Sequence, residues 1–146
     1  MNFTTPLKYS TPIKIGFFSL IILFFLSAHA MGLKPFTSDG CSAFPDGTFK
    51  DSDKWLNCCI THDKAYWLGG TYEERLKADD DLKACIESVG DKKLAKLMWA
   101  GVRVGGSPYW FSSFRWSYGW PYTRGYTPVT PEERAYAESL LSYPDN

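Results

Sequence analysis

The chain has 146 residues, 45% of them hydrophobic, and its 16 basic side chains are balanced by 16 acidic ones. That is apolar material for one modest core and hardly two, so a single domain is expected. A balanced charge excludes a polyanion-binding protein, and with it nucleic acid as a partner.

Taken in chain order, the leader Met1 to Ala30 has Lys8 and Lys14 ahead of an apolar run, Ile15 to Leu26, and ends in Ser27-Ala28-His29-Ala30. Basic flank, apolar stretch and small-x-small ending are the layout of a secretory signal peptide cleaved after Ala30. The alternative is an uncleaved membrane anchor, but the run is short against the roughly 20 apolar residues that span a bilayer. Cleavage would leave 14 basic against 16 acidic residues, a net charge of −2, in a domain at 31–146 that is secreted or held in the periplasm or cell envelope. All four cysteines, Cys41, Cys58, Cys59 and Cys85, lie in that part. An oxidising compartment makes disulfides their expected state. Zinc is the rival, but adjacent cysteines lack the ligand spacing of structural zinc sites.

Met31 to Lys50 is rich in Gly, Ser, Pro and Asp without an apolar period and reads as an irregular loop. Ser52 or Asp53 is placed to cap a helix through Trp55, Cys58, His62 and Tyr66 that stops at Gly69-Gly70. Thr71 with Glu74 three residues on predicts a capping box and a second helix, running through Leu82 and Cys85 to about Val89. The short connection predicts an antiparallel pair. A third helix, Lys92 to Arg103, carries Leu94, Leu97, Met98 and Val102 on one face, with Lys92, Lys93, Lys96 and Arg103 largely elsewhere. Residues 107–130 form an aromatic-rich irregular segment. Its rings suit either the core or a membrane interface, where Trp and Tyr favour the headgroup level and basic residues attract anionic lipid, and core packing is the preferred destination. Thr130-Pro131-Glu132-Glu133 then opens a terminal helix to about Ser142.

Chemistry concentrates in Cys58-Cys59-Ile60-Thr61-His62-Asp63-Lys64-Ala65-Tyr66, which holds the one histidine outside the leader. Residues four apart share a helix face, so Cys58, His62 and Tyr66 form one row, and Cys59 with Asp63 a second row about 100° away. A Cys58 to Cys85 bond would fasten the second helix against the His62 face; a Cys59 to Cys41 bond would fasten the glycine-rich loop against the Asp63 face. In an antiparallel pair, one carboxylate of Asp79-Asp80-Asp81 should face the imidazole, fixing its tautomer so that the other nitrogen can remove a proton. The remaining two are expected to be solvated. On the second row, Asp39 and the backbone carbonyls of Ser38-Asp39-Gly40-Cys41-Ser42 would approach Asp63, an oxygen donor set suited to calcium.

The motif Cys-Cys-x-x-His-Asp-x-x-Tyr resembles the active-site helix of the secreted phospholipase A2 superfamily. In the animal enzymes an Asp six residues before a later cysteine completes the dyad, which selects Asp79 relative to Cys85, and that cysteine pairs with the first of the vicinal two, implying Cys58 to Cys85. Asp39-Gly40-Cys41-Ser42-Ala43-Phe44-Pro45-Asp46 is similar instead to the bacterial and fungal branch, so Asp39 and the Gly40 carbonyl inherit a calcium role beside Asp63. The resemblance covers Ser38 to Ile86; the Tyr-x-Cys-Gly-x-Gly loop of the animal enzymes is missing, and the aromatic segment has no counterpart. It implies a mainly α fold, a disulfide-crosslinked antiparallel helix pair with an irregular calcium loop. It also implies calcium-dependent hydrolysis of the sn-2 ester of glycerophospholipids at a membrane surface or micelle, with His62 as base, Asp79 orienting it and Tyr66 bonded to Asp79. The alternatives are a lipid- or envelope-binding protein on the same scaffold that has lost turnover, and a glycan-binding module using the aromatic segment.

Overall fold

Four helices supply the regular structure of residues 32–142, the part of the chain that this computed structural model describes: α1 (Leu56–Leu68), α2 (Tyr72–Ser88), α3 (Lys92–Gly105) and α4 (Pro131–Ser142). The described residues hold no strand beyond an isolated antiparallel bridge between Thr48 and Asp51. The signal-peptide reading of residues 1–30 lies outside them. None of the described helices is long and apolar enough to cross a membrane.

Start signals decide most of the boundaries. Thr71 and Glu74 form the expected capping box on α2, with Glu74 N–H donating to Thr71 Oγ1 at 3.2 Å and Thr71 N–H to Glu74 Oε2 at 2.7 Å. Thr130 and Glu133 do the same for α4. The Asp91 carboxylate caps α3 by accepting from Leu94 N–H at 2.8 Å. The exception is α1, where neither Ser52 nor Asp53 caps the helix. It begins at Leu56 behind Trp55, which makes no side-chain cap. Ser52 Oγ instead donates to Asp53, and buried Trp55 donates its indole N–H to Pro45 O at 2.6 Å. Burying a large ring anchors this start in place of a polar cap, an effect of roughly 1.5–3 kcal/mol for a fully buried apolar side chain.

Helix α2 packs against both α1 and α3. The core between them is built from Trp55, Cys58, Cys59, Leu82, Ile86, Ala95 and Met98. On α3 the inward stripe is Leu94, Ala95, Met98 and Val102, whereas Leu97, expected on that face, is 59% exposed. Ala95, fully buried, belongs to that core, and a helix turned to bury Leu94, Ala95, Met98 and Val102 leaves Leu97 on its outer side. Disulfides join Cys58 to Cys85 and Cys41 to Cys59. The first ties α1 to α2; the second ties the loop to α1.

The aromatic segment divides between the core, the preferred destination, and the surface. Trp116, Ser117, Tyr118 and Trp120 are buried, while Tyr109, Trp110 and Phe111 are exposed. The buried part completes the end of α1, whose last carbonyls have no partner within the helix. Trp120 and Trp116 donate their indole N–H groups to Leu68 O at 2.7 Å and Gly70 O at 2.9 Å, and the Ser117 and Gly119 amides donate to Tyr66 O and Trp67 O. A polar handle on each buried ring thus caps the helix that carries His62 and Tyr66. From the other side, Lys34 N–H donates to Gly119 O and Trp67 Nε1 donates to Lys34 O, stapling the extended start of the domain to the same helix end.

Candidate active site

Helix periodicity and the Cys58–Cys85 bond bring His62, Tyr66 and Asp79 together. His62 Nε2 lies 3.0 Å from Asp79 Oδ1, and Tyr66 donates its hydroxyl to the same oxygen at 2.7 Å. Asp79 is wholly buried, and Tyr66 and His62 are 2% and 8% exposed. An ionised carboxylate only accepts, so this contact puts the ring proton on Nε2 and leaves Nδ1 as the basic nitrogen. Gly106 makes room for the arrangement: a Cβ there would overlap the Tyr66 hydroxyl and ring edge.

Two arginines complete the cluster, and sequence reasoning missed both roles. Arg75, 4% exposed, donates from Nε to the Tyr66 hydroxyl at 3.2 Å, to Tyr126 Oη at 2.8 Å, and to the Val102 and Arg103 carbonyls at 2.9 and 2.7 Å. Its signal was legible, since Arg75 precedes Asp79 by four residues on α2 and shares its face. Arg103 does not join Lys92, Lys93 and Lys96 in an outward basic stripe. It turns inward, with Nε 3.0 Å from Asp79 Oδ2 and one terminal nitrogen on both Asp80 Oδ1 and Leu76 O at 2.7 Å. Asp80, expected to be a plain solvated surface residue, also accepts from Trp99 Nε1 at 2.7 Å, and that bond first, then Arg103, holds its carboxyl below the usual range.

On the second row, the loop lies against Asp63 as expected. Ser38 Oγ donates to Asp63 Oδ2 at 2.6 Å, the Gly40 N–H donates to Ser38 Oγ at 3.1 Å, and Ser42 Oγ donates to Asp39 Oδ1 at 2.8 Å. Asp46, the last residue of the Asp39-to-Asp46 motif and given no role of its own in the sequence, braces the turn by accepting from Cys41 N–H at 2.8 Å. Gly40 is required there, having φ of 75° and facing the Asp46 carboxylate where a Cβ would stand. Burial pushes the Asp63 carboxyl up to about 6, against the Ser38 hydrogen bond and His62, with the charge of Asp39 adding to the rise. Burial, and then the charges of Asp63 and Asp39, also push the Tyr118 phenol up. Asp63, with the charge of Asp39 nearby and no salt bridge to a Lys or Arg among the described residues, forms a site short of positive charge. The described residues gather no group of three His, Cys, Asp or Glu side chains for a metal. Any cation held beside Asp63 would therefore need oxygen donors besides those of Asp63 and Asp39, the kind of ligand that calcium accepts.

The raised Asp63 value has a sign that can be measured. The native state holds this proton more tightly than the ordinary value of 3.8 allows, so the group's stabilisation is complete below that value and is lost as pH rises from about 4 through about 6. Thermal melts in chelator should show this loss, and Asp63→Asn should remove it. An identical pH slope in the variant would contradict the assignment.

His62, Asp63 and Tyr66 share a cavity of about 330 Å³ with Phe44, Met98, Val102 and Phe114. An ionisable cluster thus opens into a largely apolar space, the form of a small-molecule or lipid-chain site. No family model matches the chain, and no curated protein or solved structure is significantly similar to it.

Proposed function

We propose that the protein is a calcium-dependent phospholipase A2-like hydrolase that cleaves the sn-2 ester of glycerophospholipids, exported to the cell exterior or envelope after loss of residues 1–30. The observation that carries this reading is the buried His62–Asp79–Tyr66 cluster standing one residue from Asp63 and its facing loop, with His62, Tyr66, Asp63 and Gly40 lining one apolar cavity. His62 Nδ1 removes a proton from water as the water oxygen bonds to the ester carbonyl carbon. Asp79 holds the ring and balances the imidazolium charge. The same proton then passes to the departing glycerol oxygen as its bond to the acyl carbon breaks, giving a fatty acid and a lysophospholipid. Asp63, Asp39 and the Gly40 carbonyl would hold calcium, which when bound would supply Lewis-acid stabilisation of the ester oxyanion and charge for the lipid phosphate. Phe44, Met98, Val102 and Phe114 shelter the acyl chain. The test is hydrolysis of phospholipid micelles by the purified protein with calcium and with excess chelator; turnover that persists unchanged in chelator, or none in calcium, rejects the reading.

A membrane or micelle surface is the proposed partner. Tyr109, Trp110 and Phe111 are exposed, and they precede Ser112 and Phe114 of the cavity wall. Exposed aromatics beside a lipid-chain cavity match the interface preference of Trp and Tyr. Trp110→Ala should reduce sedimentation with anionic vesicles, whereas Trp116, which is buried, cannot contribute contact. Unchanged partitioning of the Trp110 variant would remove this surface from the account.

A further inference from the structure

Asp79 is fully buried and offers two oxygens, and the cluster described above uses only one of them. Oδ1 takes both His62 Nε2 and the Tyr66 hydroxyl. Oδ2 makes no hydrogen bond among the described residues, and neither does Arg103 Nε, although the two stand 3.0 Å apart. The two are opposite charges in contact, poorly aligned for a hydrogen bond but well placed for a Coulombic interaction, while the same guanidinium meets Asp80 at 2.7 Å through a terminal nitrogen. A buried carboxylate with one bare oxygen is costly unless a cation faces it. Arg75, the other nearby guanidinium, reaches Asp79 only through the Tyr66 hydroxyl.

We propose that Arg103 is the positioning residue of the His62–Asp79 pair, its charge on Oδ2 holding the carboxylate so that Oδ1 stays on the imidazole. The anchoring of Arg103 supports this role. Leu76 O and Asp80 Oδ1 fix one terminal nitrogen, and the guanidinium lies 5.0 Å from the Trp99 ring centroid, so it is set from outside the cluster while Nε faces in. It comes from α3, whereas His62 and Asp79 come from α1 and α2, so the third helix takes part in orienting a pair it does not carry. Without that charge the carboxylate is free to rotate, and the ring loses its fixed tautomer.

The consequence for turnover rests on the hydrolase reading; the consequence for the imidazole does not. Nitrogen NMR of the mature protein, whose one histidine after loss of residues 1–30 is His62, should show in the wild type a ring proton held on Nε2 and protected from exchange. Arg103→Gln, which keeps length and polarity but not charge, should expose that proton to rapid exchange, and Arg103→Lys should restore it, because the contact acts through charge and the lysine chain reaches as far. In the lipid assay Arg103→Gln should lower kcat by about 10²-fold, the scale of a small misplacement of reacting groups, with KM little changed. Lys93→Gln, which removes an exposed charge of the same helix away from the cluster, should leave kcat near the wild-type value. A protected His62 proton in Arg103→Gln overturns the proposal whether or not the protein hydrolyses lipid. Should Arg103→Gln prove too unstable to record, a folded Arg103→Lys that has lost the protected proton overturns it equally. A wild type that turns over no lipid yet shows the expected ring behaviour removes the hydrolase reading and leaves the positioning role standing.

Discussion

His62→Gln should lower phospholipid turnover by about 10² to 10⁴-fold, the range for removing a positioned general base, without unfolding the protein. The glutamine amide can still donate toward Asp79 Oδ1, where His62 Nε2 now stands at 3.0 Å, so the buried carboxylate keeps a partner. What it cannot do is accept a proton from water and return it to the leaving oxygen. Calcium binding should survive, because Asp63 belongs to the neighbouring row and is tied to Ser38 rather than to the imidazole. The measurements are initial rates on micelles, a thermal melt and a calcium titration on the same preparation. A folded, calcium-binding variant with wild-type turnover would remove His62 from the chemistry.

The second large effect separates the two crosslinks. Cys58→Ala with Cys85→Ala opens a closure of 27 residues between α1 and α2, and Cys41→Ala with Cys59→Ala one of 18 residues between loop and α1. Loop-closure entropy assigns each a loss of about 3 kcal/mol, too close to distinguish them by stability. Function should distinguish them. Losing Cys58–Cys85 loosens α2 where it presents Asp79 to His62, so kcat should fall at saturating calcium. Losing Cys41–Cys59 frees the Asp39-Gly40 turn from Asp63, so the calcium needed for half-maximal turnover should rise while kcat at saturation is largely kept. Identical kinetic signatures for the two pairs would show that the crosslinks act only on global stability.

Much of this arrangement was legible in the sequence, for identifiable reasons. Caps are local, so Thr71 with Glu74 and Thr130 with Glu133 marked the starts of α2 and α4 correctly. Helix periodicity is also local, and it placed Cys58, His62 and Tyr66 in one row and Cys59 with Asp63 in another. The choice of Asp79 from its triplet and the Cys58–Cys85 pairing came from the family resemblance, and both contacts are present. What periodicity could not give was the destination of side chains that cross between helices. Arg103 reads as one more cation beside Lys92, Lys93 and Lys96, and only the packing of α3 on α2 puts it against Asp79 and leaves Leu97 outside the core. The start of α1 failed for a related reason: the core took Trp55, and a buried ring overrode two good capping residues. Composition correctly left the aromatic segment irregular, but nothing local told Trp116 and Trp120, which cap α1, from Trp110, which faces outward.

The most direct test of the central claim is to hydrolyse a phospholipid carrying different acyl chains at its two positions in heavy-oxygen water and to weigh the products. The account predicts release of the sn-2 fatty acid alone, each molecule carrying one heavy oxygen, with a lysophospholipid that carries none and with release stopped by chelator. Release of the sn-1 chain, heavy oxygen in the lysophospholipid, or hydrolysis indifferent to chelator would contradict it.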